Sequence, residues 1–118
     1  MYVINKLYTA FKYSCNGLKD AWLNQWAFRF EIAILIIAIP LTFLIGRSSV
    51  EYAILISSVF LLLIVELLNS AIETTVNRIS MERHELSGLA KDLASAAIML
   101  TGVNAAIIWS IFIIARLF

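Results

Sequence analysis

Three long apolar runs, separated by short polar segments, leave this chain few folds to choose from. The second runs from Tyr52 to about Val76 and the third from about Leu93 to Phe118. Each is long enough for a helix to cross the ~30 Å hydrocarbon layer that ~20 residues span. The first, Ile32 to Gly46, is short, and reaches span length only by extending back through Phe28 and Phe30, with Arg29 snorkelling and Glu31 paired or interfacial. At 62% hydrophobic residues in 118, the chain is too apolar for a soluble domain. The expected fold is an all-α membrane protein of a single domain, with spans over residues 29–47, 52–76 and 93–118.

Ahead of these spans, Val3, Leu7, Phe11, Leu18, Trp22 and Trp26 recur at steps of four, or seven over two turns, while Lys6, Lys12, Lys19 and Asp20 fall mostly on other faces. That spacing predicts an amphipathic helix over residues 1–26, lying in the headgroup plane. Gly17 is a point where it can kink, as is Pro40 within the first span. The connector Gly46 to Glu51 is brief, so the second span returns antiparallel to the first. Residues 77–90 form a polar loop, and three spans place the termini on opposite sides.

Of nine Lys and Arg, four precede the first span and three are Arg78, Arg83 and Lys91, leaving Arg47 and Arg116 for the other face. This bias puts the N-terminus and the 77–90 loop in the cytoplasm and the C-terminus outside. With a net charge of +1 divided among interfacial segments, no face is basic enough for nucleic-acid binding. A lone Cys15 forbids an internal disulfide and is expected to be a small packing residue. Residues 1–20 mix charge with helical periodicity, unlike a cleavable signal.

The second span ends on a polar stripe. Glu66 and Glu73 differ by roughly 20° around a helix, with Asn69, Ser70 and Asn77 within about 60° of the same line. An ionised carboxylate facing lipid costs ~2.5 kcal/mol or more, so such residues turn toward a bundle interior or polar cavity. If the second and third spans form a hairpin centred near Glu82, Asn69 lies level with Ser95 and Glu73 with Lys91. Carboxylates, an ammonium group, amides and a hydroxyl then meet where water meets lipid. Such a set can hold a divalent cation and phosphate oxygens, since magnesium often takes only one or two carboxylates. The four glycines are scattered and no GxxxxGK[ST] occurs, so side chains would have to hold a nucleotide. The deeper, desolvated Glu66 is suited to act as a general base on a lipid hydroxyl.

The runs Glu66-Leu67-Leu68-Asn69-Ser70-Ala71-Ile72-Glu73 and His84-Glu85-Leu86-Ser87-Gly88-Leu89-Ala90-Lys91-Asp92, followed by Ser95-Ala96-Ala97, resemble the signature of the prokaryotic diacylglycerol kinases. Tyr13-Ser14, Gly17-Leu18, Ala21-Trp22, Ala27-Phe28-Arg29 and Glu31 extend the resemblance over nearly the whole chain. It implies a homotrimer in the bacterial inner membrane that phosphorylates diacylglycerol with magnesium-ATP, its sites shared between neighbouring chains. Glu66 would be the catalytic base with Asn69 beside it, and Glu73 would ligate magnesium. Glu82, Arg83, His84, Lys91 and Asp92 match ATP-contacting positions, as do Tyr13 and Lys6, the latter where the family pattern has arginine. Trp22, Arg29, Glu31 and Ser95 match the lipid side. Gln25 stands where the family has a second metal-binding glutamate. Its carbonyl can coordinate magnesium but adds no negative charge, so metal affinity should fall unless another carboxylate or water compensates.

Two rivals stay open at this point. An undecaprenol kinase differs only in the lipid, and the His84 to Gly88 run resembles the diacylglycerol branch more. A small proton-coupled transporter would also use a membrane-embedded glutamate, but has no evident need of the polar loop and the Lys91-Asp92 pair. On residues alone, Glu66 could be a hydrogen-bonded structural carboxylate, His84 an exposed loop residue, Lys91 and Asp92 ordinary start-of-helix charges, and Trp22, Trp26 and Trp109 packing or interfacial aromatics.

Overall fold

The computed structural model describes every residue from Met1 to Phe118, in four α-helices: α1 (Tyr2–Asn24), α2 (Trp26–Ile45), α3 (Ser49–Ile79) and α4 (Glu85–Leu117). α2, α3 and α4 are long and apolar enough to cross a membrane. α3 is central, packing against both α2 and α4, which barely touch each other. α1 is almost wholly exposed, with Ala21 its one buried residue.

The helices stop where the backbone finds other partners, and these points differ from the expected bounds. α1 breaks at Gln25, whose extended backbone (φ −117°, ψ 102°) turns the chain. The Arg29 guanidinium then donates to the carbonyls of Trp22 at 2.7 Å and Leu23 at 3.3 Å, satisfying orphan acceptors of the helix end. α2 therefore starts at Trp26, ahead of the expected residue 29. It stays continuous through Pro40, as α1 does through Gly17. Cys15, expected to pack, is exposed.

At the α2–α3 turn, a Cβ on Gly46 would lie 2.6 Å from Tyr52 Cδ1, so only glycine lets the Tyr52 ring close over the backbone. That ring packs on Phe43 with centroids 4.9 Å apart. Arg116, near the end of α4, donates both Nε, at 2.7 Å, and a terminal nitrogen to the Ile45 carbonyl, capping α2 from a distant helix. α3 opens on Ser48 as N-cap, its Oγ accepting from the Glu51 N–H at 3.2 Å while also donating to Glu51 Oε2.

The polar loop expected over 77–90 contracts to Ser80–His84. α3 continues through Ile79, and α4 begins at Glu85. Hydropathy marks where a chain leaves lipid, whereas a helix can run on into water with its backbone bonds intact. His84 starts α4 by accepting the Leu86 N–H on Nδ1 at 3.1 Å.

The α3–α4 register matches the hairpin expected about Glu82. Trp109 Nε1 donates to the Leu55 carbonyl at 3.3 Å and to Ser58 Oγ at 3.1 Å. Lys91 is the exception, since its Nζ donates to Asn77 Oδ1 at 2.8 Å rather than to Glu73. Side chains lean toward their helix N-terminus, so Lys91 reaches back toward the turn and meets a residue one turn nearer to it.

Candidate active site

Four helix-borne side chains form a polar cluster, each there because of its place on its helix face. Glu66 is buried on α3 at 5% exposure, and Glu31 on α2 at 6%. Both sit beside the small core of Ala21, Phe28 and Leu63, with Ile32, Leu35 and Leu67 against it. Their carboxylates are close enough to interact electrostatically, and Glu66 likewise feels Glu73 one face-repeat along α3. Asn69, half-buried, points Nδ2 at Glu73 Oε1 across 3.5 Å, the outer limit of a hydrogen bond. Two oxygens are left buried without a partner, Glu31 Oε2 and Asn69 Oδ1.

This cluster brings together Glu31, Glu66, Asn69 and Glu73. Lys91, half-buried, stands beside it through Asn77, while Asp92 and Ser95 are exposed on α4. Glu82, Arg83 and His84 line a separate cleft of 430 Å³ at the turn, with Ser80 and Ser87. Ser80 Oγ accepts the Glu82 N–H at 3.0 Å, and the Nδ1 of His84 is occupied as the α4 cap, leaving its Nε2 edge free. Lys6 and Tyr13 line a third cleft of 490 Å³ on α1. Trp22 is exposed, and its carbonyl is held by Arg29. The residues matched to the nucleotide thus do not converge within one chain.

Gln25 lines a cleft of 660 Å³ between α1 and α3, together with Asp20, Ser70 and Thr74. Glu73 is not in its wall, and no three His, Cys, Asp or Glu side chains gather as a metal-binding group. The hard oxygen donors present suit a magnesium ion carried in on phosphates and completed by water, not one caged by a single chain. Asp20, which accepts from Asn24 Nδ2 at 2.7 Å, is a carboxylate on the Gln25 cleft that sequence spacing did not single out. Its i+5 separation from Gln25 crosses the helix break, which no local signal marks.

The chain matches the family described as prokaryotic diacylglycerol kinase over residues 12–113. It is 48% identical over 106 residues to a diacylglycerol kinase of Haemophilus influenzae, covering 90% of each chain. Against the diacylglycerol kinase of Escherichia coli K12 the identity is 46% over 101 residues, 86% of this chain and 83% of the relative. A Helicobacter pylori diacylglycerol kinase is 36% identical over 93% of this chain and 86% of its own. The buried carboxylate cluster lies wholly within the matched residues, and the chain belongs to the prokaryotic diacylglycerol kinase family.

Proposed function

We propose that the chain transfers the γ-phosphoryl group of ATP to the free hydroxyl of diacylglycerol, forming phosphatidic acid and ADP at the cytoplasmic surface of the bacterial inner membrane. The reading is carried by buried Glu66, set among Glu31, Asn69 and Glu73 with acceptor oxygens to spare, on a chain whose relatives are diacylglycerol kinases. Glu66 takes the proton of the lipid hydroxyl as that oxygen attacks the γ-phosphorus, and ADP departs with the bridging oxygen. The unpaired Asn69 and Glu31 oxygens orient the lipid head. Trp22, Arg29 and Ser95 flank the lipid, while Glu82, Arg83, His84, Lys91, Asp92, Lys6 and Tyr13 hold the nucleotide.

Phosphoryl transfer asks mainly for positioning and charge neutralisation, which an interfacial cluster can provide without a soluble kinase domain. Glu73 and Gln25 would hold magnesium, whose chemistry is to neutralise charge on the phosphates. α1 lies along the headgroup plane as an amphipathic helix, the N-terminus is cytoplasmic and the C-terminus periplasmic, as the distribution of Lys and Arg favours. The active assembly is a homotrimer whose clefts combine across chains, which accounts for nucleotide-side residues lying in separate places on one chain.

The test is ADP release in mixed micelles with and without diacylglycerol, with products separated by thin-layer chromatography. Release should depend on the lipid and yield phosphatidic acid, and Glu66→Gln should cut turnover by about 10²-fold or more while nucleotide still binds. Labelling of undecaprenol alone would move the assignment to that lipid, and normal turnover in Glu66→Gln would remove Glu66 as base.

A further inference from the structure

Polar side chains inside the apolar helices mostly satisfy themselves. Thr42, Ser58 and Thr101 each donate to a carbonyl of their own helix, at 2.8, 2.7 and 2.7 Å. Asn104 does not. It is exposed on α4, and the chain offers its amide no hydrogen bond. At 1.5 Å per residue it lies about 20 Å along α4 from Lys91 and about 18 Å from Arg116, so in a spanning helix it sits at the middle of the bilayer.

There the amide cannot reach water, and acyl chains hold no partner for it. Asn104 instead lines a cleft of 300 Å³ between α3 and α4, with Ala53, Ser57 and Ser58. Ser57 lines the same cleft from α3, within about one helical turn of that depth by the hairpin register, and is also exposed. Small side chains of this kind let a second helix come close, and amides and hydroxyls at such a contact hydrogen-bond across it. α4 is the least covered of the three spans, although equally apolar.

We propose that Asn104 is the polar clamp of the interface between copies of this chain, its amide bonding Ser57 of a neighbouring copy within the hydrocarbon layer. The occupant is a second copy because a partner must present hydrogen-bonding groups at this one depth. A copy inserted in the same orientation carries both Ser57 and Asn104 within about one helical turn of that depth. This rests on the homo-oligomer of the proposed function and names the residue pair that holds it.

The experiment measures energy transfer between donor- and acceptor-labelled copies as mixed micelles are diluted, for the wild type, Asn104→Val, Ser57→Ala and the double variant. Asn104→Val replaces an amide with an apolar side chain in an apolar layer, so helicity by circular dichroism should hold. The wild type should associate, each single variant should raise the dissociation midpoint about tenfold, and the double variant should fall little further. A wild type that associates with Asn104→Val unchanged overturns the clamp and leaves the oligomer standing. Additive losses overturn the Ser57 pairing. A wild type with no transfer at any dilution removes the homo-oligomer itself, and points Asn104 at a different membrane protein.

Discussion

Glu31 Oε2 and Asn69 Oδ1 are the two side-chain oxygens that the fold buries without a partner, and both adjoin the cluster around Glu66. Buried polar atoms are almost always paired, so two orphans in one place mark somewhere a ligand's donors are wanted. Gln25 raises the opposite question, since a neutral amide stands where a charged ligand would bind more strongly. Gln25→Glu is expected to lower the magnesium concentration for half-maximal turnover roughly tenfold, with little change in the ATP concentration required. An unchanged magnesium titration would remove position 25 from the metal. Glu66, Asn69 and Glu73 were legible as a group because an ionisable residue deep in an apolar run stands out, and a seven-residue repeat keeps it on one face. The company of Glu31 followed from the family resemblance alone, not from spacing. Its depth depends on where α2 begins, and that is fixed by Arg29 bonding back to the end of α1.

At the scale of helices, hydropathy located the three apolar runs, but capping set their ends. Ser48 and Glu51 are a capping pair readable from spacing, whereas His84 as an N-cap is not, because histidine in a polar segment carries no helix-start signal of its own. The five-residue turn from Ser80 to His84 follows from that cap and from Ser80 ending α3. Losing an N-cap costs about 1 kcal/mol, so His84→Ala is expected to speed amide hydrogen exchange at Leu86 about fivefold, with little change in mid-α4. If exchange at Leu86 is unaltered, the Nδ1 bond contributes nothing to the helix and His84 is free to serve the nucleotide through either nitrogen. The Lys91–Asn77 bond was missed for a geometric reason: equal depth of backbone is not equal depth of side chain when lysine leans toward its own N-terminus.

For the molecule as a whole, the chain buries only 14 of its 118 residues, and its extents of 52 × 46 × 23 Å reflect an α1 that projects from the helical hairpins. Lys6 lies about 28 Å along α1 from Gln25 at 1.5 Å per residue, so the far half of α1 is carried away from the helix break. If Lys6 and Tyr13 act on the same nucleotide as Glu66, the simplest geometry has α1 of one copy serving the cluster of its neighbour. A chain carrying Lys6→Ala and Tyr13→Ala and a chain carrying Glu66→Gln would then each be deficient alone. Refolded together from a common denatured pool, they should recover turnover that neither possesses, because a mixed assembly contains sites with an intact α1 facing an intact Glu66. Recovery must vanish when the two variants are refolded separately and then mixed without exchange. Mixed assemblies that form, as seen by energy transfer, yet recover nothing would mean that each site is complete within one chain, and that α1 bends back over its own cluster when substrate binds.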